Sequence, residues 1–513
     1  MGATGLRAQT TSKRTTLMTS INEPRSLNTA LFTGSTSGVL GAQLYAGLVE
    51  LDDKYRATPY LAKSWEVSTD GLKYTFHLVE NAVFHDGKPV TAKDAAFSVE
   101  VAQTVHPQMS VPFKQMIAKV EATGPYTLEL TLKDPFEGLL LLLVAALVPI
   151  LPEHVFGPAA GPIRENPANS APVGSGPFKF VEWRPGERIV FERHDKFFRP
   201  GRPYFERVVF DINFDPLSRA LALERGDIHY QAFSFLRVNE LMRLMNNKAF
   251  VVSTADYAGV GPINYLEFNL RVPPLNDVRV RRAIAHAIDK DFITKTLHKG
   301  ISRRLDGPFH SGAAMYDAAA VKQYAYDLKA ASALMDEAGL KPDSSGVRLK
   351  LTLQVPTFEQ DSSALVAEYL RGQLRRIGIE ITLRKATDTG DWSSRVGNWN
   401  YDMTMNSTFN WGDPVVGVHR NFVSSNIRKV IWTNTQGYNN PAVDDLLARA
   451  TVERDPVKRR ALYAEFQTIV TTELPFVWTN EGIYTTVYDK NLTGVPTGVY
   501  GPMAPWDEMR FTV

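Results

Sequence analysis

The run from Tyr45 to Glu100 constrains the fold of this chain more than any other stretch. Trp65 and Val67, then Tyr74, Phe76 and Leu78, alternate with polar residues, and Asp70-Gly71 sits between the two sets. Side chains of a strand point to alternate faces, so this pattern predicts a hairpin closed by an Asp-Gly turn. A second turn, Asp86-Gly87-Lys88-Pro89, leads to Thr91. Thr91 suits a helix N-cap. Asp94, three residues later, can return a hydrogen bond to it in the manner of a capping box. An apolar helical face follows.

At 513 residues the chain is too long for one ordinary core, so two or three domains are expected. A hydrophobic content of 44% and a charged content of 22% are those of a soluble globular protein. A formal charge of +2 implies no polyanion partner, and no nucleic acid is expected. The chain has no Cys, which excludes disulfides, thiolate metal sites, thiol nucleophiles and a lipid-modified N-terminal Cys. Leu139 to Val148 is the most apolar stretch. At ten residues it falls well short of the ~20 that span a bilayer, and it reads as a buried helix. Residues 1–15 are polar and lack an apolar h-region, so no signal peptide is expected in this sequence.

Further along, Tyr126 to Leu132 reads as a strand, and Gly157 to Pro177 as a loop. Strands are expected at Phe178–Trp183 and at Ile189–Phe191, around an Arg184-Pro185-Gly186 turn. Val208–Ile212 reads as a strand and Pro216–Gly226 as a helix ended by its Gly. Asn276 or Asp277 caps a helix carrying Val280, Ile284 and Ile288 on one face. Strand, helix, strand over 350–355, 362–377 and 379–383 makes a βαβ unit. The basic clusters Arg279/Arg281/Arg282, Arg371/Arg375/Arg376 and Lys458/Arg459/Arg460 each fall on a helix, where a solvated face is the default.

Signals for catalysis are weak. Gly174-Ser175-Gly176 lacks the spacing of a nucleophile elbow and reads as a turn. His85-Asp86 and Glu153-His154 are isolated pairs without a third ligand at metal spacing. The glycines at 34, 38 and 41 lack the Lys-Ser/Thr of a phosphate loop. No catalytic residue, metal site or cofactor is expected, and the chain does not read as an enzyme.

Four segments in order resemble a known family. They are Leu61 to Ser98, with Ser64-Trp65-Glu66-Val67-Ser68 and Phe84-His85-Asp86-Gly87; Val173 to Phe180; Tyr265 to Ala287, with Pro273-Pro274 and Arg279-Val280-Arg281-Arg282; and Asn439 to Thr472. Together they resemble the peptide/nickel-type solute-binding proteins of ABC importers, family 5. The resemblance implies an α/β, two-lobe periplasmic-binding-protein fold (type II, cluster C-like), with an extra subdomain inserted in the first lobe. By analogy, 45–171 is the insert and 264–479 the second lobe, while 1–44, 172–263 and 480–513 form the first lobe. It also implies a periplasmic monomer that holds a small ligand between its lobes and delivers it to an ABC permease. On that reading a signal peptide has been cut off ahead of this N-terminus.

The same resemblance places candidate ligand-binding residues. Thr33, Gly34, Ser35, Thr36 and Ser37 offer hydroxyls and backbone N–H groups just before a helix, where the family lines its cleft. Trp392, Phe409, Asn410, Trp411 and Asp413 fall where the second lobe approaches the ligand. Dipeptide-binding members hold the ammonium with an Asp four residues before the loop's Pro. Here that position is Asn410. They hold the carboxylate with an Arg early in a helix, and the matching positions here are Ala364 and Leu365. Asp413 could replace the missing ammonium anchor, and Ser407 stands where a Trp is usual. The expected cargo is therefore a modified or longer peptide, an opine-like conjugate, or a glycoside or sugar phosphate. A dipeptide bound through displaced anchors, or a ligand-sensing role, is the alternative.

Overall fold

The computed structural model describes residues 15–32, 34–213, 215–233, 236–254, 256–357, 360–482 and 484–512. Two mixed sheets organise it. The first has seven strands in the order 250–253, 486–489, 230–231, 16–21, 207–212, 188–193, 178–184. Its central strand, Thr16–Ile21, runs parallel to Arg207–Ile212, with Thr19 opposite Phe210. The second has five strands in the order 379–385, 349–355, 403–409, 262–268, 476–481. Leu349–Val355 and Ile379–Lys385 are parallel and joined by the helix Gln360–Arg375, the expected βαβ unit.

A separate four-stranded antiparallel sheet is formed by 62–67, 73–78, 127–132 and 117–124. It contains the hairpin read from the sequence. Trp65 pairs with Phe76 and Val67 with Tyr74, and Gly71 takes a positive φ of 73° in the turn. The next helix, Ala92–Val105, begins with the expected capping box. The Thr91 backbone N–H and hydroxyl both donate to Asp94 Oδ2, at 2.9 and 2.7 Å. The four-stranded sheet and the seven-stranded sheet share one hydrophobic cluster, whereas the five-stranded sheet has its own. The chain passes between the two large sheets twice, from Ser253 to Pro262 and from Glu481 to Thr486.

Two expectations need correction. Leu139–Val148 is buried except for the half-buried Leu140 and Leu141, but only Leu139–Leu142 is helical. The Leu143 carbonyl accepts instead from Leu48 N–H at 2.9 Å, and Ile150 N–H donates to Ala46 at 2.9 Å. Contacts to a segment about a hundred residues earlier thus replace the next helical turn. Nor are the basic clusters uniformly solvated. Arg281 is 6% exposed, and it donates to the carbonyls of Leu275, Glu473 and Leu474. Arg282 donates to Thr472. Together they satisfy the open carbonyls that end the helix Pro456–Glu473. Arg459 is equally buried, and it pairs with Asp413.

Candidate functional site

A recess opens on the seven-stranded side, lined by Asn22, Ser35, Thr36, Arg219, Gln231 and Phe233, among others. The strand Thr16–Ile21 delivers Asn22 to its floor, and the helix Ser35–Leu44 points its first turn at it. Gly34 stands at that helix's N-cap, so no side chain caps the first turn, and no acidic residue occupies it. Arg219 comes from the helix Pro216–Arg225 and is 1% exposed. Its Nε donates to the Asn213 carbonyl at 2.7 Å, and its Nη2 to Asn22 Oδ1 and Asn213. Burial pulls its pKa down to about 10, although Asp211 and Asp215 oppose this through space.

A second recess opens on the five-stranded side. Its polar lining is Asn264, Ser362, Ser363, Asn406, Ser407 and Asn480. None of its lining residues carries a charge. Asn406 is set from below by Glu267, which also accepts from Tyr401 and Thr435 at 2.6 Å each. Burial pushes the Glu267 carboxyl up, against those three donors. Ser362 meets His298 Nε2 at 2.9 Å, and burial pulls this imidazole down to about 4. Hydrogen bonds to a charged group contribute about 1.5–3 kcal/mol each. Glu267→Ala is therefore expected to destabilise the chain by at least about 3 kcal/mol. Urea unfolding measures this, and a loss below 1 kcal/mol would contradict it.

Aromatic rings join the two recesses. Phe233 of the first lies 5.1 Å from Tyr484, and Tyr484 lies 5.9 Å from Phe409 (centroid distances). Phe409 follows Ser407 by two residues on one strand and so shares its face. Phe233 and Trp411 both hold positive φ, 44° and 49°. Such backbone is costly for large side chains and gathers at binding sites.

The sequence-selected residues divide into two groups. Ser35 and Thr36 line the first recess, and Gly34 and Ser37 sit beside them. Ser37 donates to the Ser26 carbonyl at 2.9 Å. Thr33 lies outside the described residues. Phe409 belongs to the aromatic bridge. The others turn inward. Trp392 is buried with Val396 and Tyr401, and its Nε1 donates to Thr404 at 3.0 Å. Trp411 packs edge-on against Phe409 and joins the first hydrophobic cluster. Asn410 donates to the Pro308 carbonyl at 3.2 Å and accepts from His310 N–H at 2.7 Å. Asp413 accepts from Val415 N–H at 2.9 Å, and Arg459 Nη2 reaches both its oxygens at 3.1 and 3.0 Å. Asp413 is thus a paired, capping carboxylate rather than a free ammonium anchor.

Arg219, Gln231, Asn406 and Asn480 were missed in the sequence. Each sits in an element of unremarkable pattern, and only the sheet order brings them to a recess. The isolated acid–histidine pairs do meet, with His154 Nε2 2.6 Å from Asp86 Oδ2. Among the described residues, however, no cluster of three or more His, Cys, Asp or Glu is placed to hold a metal. Nor is any described helix long and apolar enough to cross a membrane.

Two large sheets joined by two chain crossings, each with its own polar recess, have the architecture of a two-lobe binding protein. Comparison with known proteins agrees. The family described as bacterial extracellular solute-binding proteins, family 5 Middle, matches residues 56–429. The chain belongs to this family of ABC-importer solute-binding proteins. The probable D,D-dipeptide-binding periplasmic protein of Escherichia coli K12 is 30% identical over 457 residues, covering 86% of this chain and 82% of that one. A periplasmic binding protein of Helicobacter pylori, solved with the peptide STSA, superposes with a TM-score of 0.82 at 26% identity, covering 97% and 98% of the two chains. NikA of Brucella suis, solved with Fe(III)-EDTA, gives 0.83 at 26%, covering 97% and 100%.

Proposed function

We propose that this chain is the periplasmic capture subunit of an ABC importer, monomeric and without catalytic activity, for a hydrophilic solute other than a free dipeptide. The candidate cargoes are a modified or longer peptide, an opine-like conjugate, and a glycoside or sugar phosphate. One observation carries this reading: the second-lobe recess has a neutral lining. The position of the family's ammonium anchor is Asn410, which is spent on His310 and Pro308. The helix that would supply a carboxylate anchor contributes Ser362, Ser363 and Val366 instead. Burying an ammonium without its carboxylate costs about 3–5 kcal/mol. Losing a charge-assisted bond to the other terminus adds roughly 1.5–3 kcal/mol. Relatives that bind a D,D-dipeptide or a peptide favour the dipeptide alternative, and they make the test direct. Calorimetric titration with Ala-Ala and other free dipeptides is expected to show no binding tighter than about millimolar; micromolar affinity would overturn the reading.

Closure of the cleft is supported by contacts outside it. Arg454 Nη1 donates to the Thr69 carbonyl at 2.9 Å and its Nε lies 3.6 Å from Glu137 Oε1, linking the second lobe to the four-stranded unit. Both side chains are exposed, so the pair contributes at most about 1 kcal/mol. Arg454→Ala is expected to leave the melting temperature within 1 °C of wild type while raising the unliganded radius of gyration seen by X-ray scattering. An unchanged radius would remove Arg454 from the closing contacts.

A further inference from the structure

The two recesses differ in charge, and that difference points to how the solute lies. The second-lobe recess is neutral, while the first holds a buried guanidinium. Arg219 has no carboxylate oxygen within ion-pair distance among the described residues. Its nearest acids act only through space: Asp211 sits in the neighbouring strand, and Asp215 is already used to cap Ser218 N–H at 2.7 Å. Its Nε and Nη2 have protein acceptors, both neutral. Among the described residues its Nη1 has none, and the side chain borders the recess. A buried charge without a counter-charge is costly, and a bound anion relieves that cost.

The second observation is independent of Arg219. The first-turn N–H groups of the helix Ser35–Leu44 have no carbonyl within the helix to bond, and their dipole favours negative charge. In this helix neither a capping side chain nor an acidic residue fills that role. Ser35 and Thr36 border the same recess as Arg219. An open helix start and a 99%-buried guanidinium thus converge from two different elements.

We propose that the first-lobe recess is an anion subsite, taking a carboxylate or phosphoryl group of the captured solute on the Ser35–Thr36 turn and Arg219. The proposal rests on the solute-capture reading and narrows it. The cargo carries an anionic end in the first lobe and a neutral amide- or hydroxyl-rich end in the second. This inverts the dipeptide arrangement, where both charged ends are anchored in the second lobe.

The test uses bare anions, which fit the subsite without needing the rest of the solute. Thermal unfolding of the full chain is followed at pH 7 in sodium phosphate, sodium acetate or sodium chloride at equal ionic strength. Phosphate or acetate is expected to raise the melting temperature over chloride, with a saturating dependence on concentration. A rise in phosphate alone assigns a phosphoryl group, and a rise in both assigns carboxylates as well. Ser35→Asp places a fixed carboxylate at the helix start, where it suits the dipole and leaves the fold intact. It is expected to abolish the rise. Ser344→Asp, the same charge change on an exposed loop, is expected to keep it. Equal melting in all three salts, or a rise that survives Ser35→Asp, would overturn the proposal. Neither result touches the capture reading, which is judged separately by whether a solute narrows the radius of gyration.

Discussion

Asp413→Ala is expected to destabilise the unliganded protein by about 3–5 kcal/mol, because it leaves Arg459 buried and unpaired. The pair is almost wholly buried, with side-chain exposures of 6% for Arg459 and 2% for Asp413. Burial works against the Arg459 charge, yet Asp413 and Tyr463 more than offset it and hold its pKa above the usual value. The same carboxylate caps the turn Pro414–Gly417, and losing such a cap adds about 0.5–2 kcal/mol. The pair also abuts the other lobe. A Cβ on Gly138 would stand 2.5 Å from Asp413 Oδ2, and the Arg459 guanidinium sits 5.9 Å from the Phe136 ring. Replacing both partners, as in Asp413→Asn with Arg459→Met, removes the stranded charge and is expected to recover more than half of the loss. Urea unfolding without ligand reads all three proteins. If Asp413 served the ligand instead, Asp413→Ala would unfold like wild type, and a loss below 1 kcal/mol would establish that.

Asp413 also shows where the sequence was readable and where it was not. Its place in a Gly-Asp-Pro loop is visible, but its partner lies 46 residues away and is invisible to local pattern. The Thr91–Asp94 box and the Gly226 helix end are set within a few residues, and both were legible. Arg281 was not, because the carbonyls it caps lie some 190 residues downstream. The apolar run at Leu139 looked helical because periodicity cannot register that Leu48 would claim the Leu143 carbonyl. At the cleft, Ser35 and Thr36 were found through the family resemblance. Arg219 was not found, since one Arg on an amphipathic helix carries no mark of burial. Its significance appears only once Asn22 and Gln231 are brought beside it by the order of the seven strands.

Buried histidines make the second large effect, which is acid lability. Burial is the main cause that pulls His106 and His419 down to about 3 and His298 to about 4; His85 is also pulled to about 3, with His194 adding to it. Hydrogen bonds give the reason at His106. Its Nδ1 accepts from both Gln108 N–H (3.1 Å) and Met109 N–H (3.0 Å), so a proton there has no room and breaks two bonds. At His85, Nδ1 accepts from Gly174 N–H at 3.1 Å, which demands the neutral ring as well. A histidine whose folded pKa lies below its unfolded value of about 6.5 contributes fully above pH 6.5. That contribution is lost as pH falls toward the folded pKa, because the unfolded chain takes up the proton first. For His106 the window runs from pH 6.5 to about 3, at about 1.4 kcal/mol per pH unit, or roughly 5 kcal/mol in all. Glu50 runs the other way. Burial raises it to about 8, so it contributes more as pH falls from 8 to its unfolded value, and it offsets about one histidine. A difference between two proteins removes that background. His106→Asn keeps an acceptor for the two N–H groups but cannot titrate. Its stability is expected to fall less steeply than wild type between pH 6 and 4, by about 1.4 kcal/mol per unit. In wild type, the imidazole resonances of His85, His106, His298 and His419 should stay unshifted from pH 8 to 5. Parallel stability curves for the two proteins, or a His106 resonance that titrates near 6.5, would show that this ring is not held neutral by the fold.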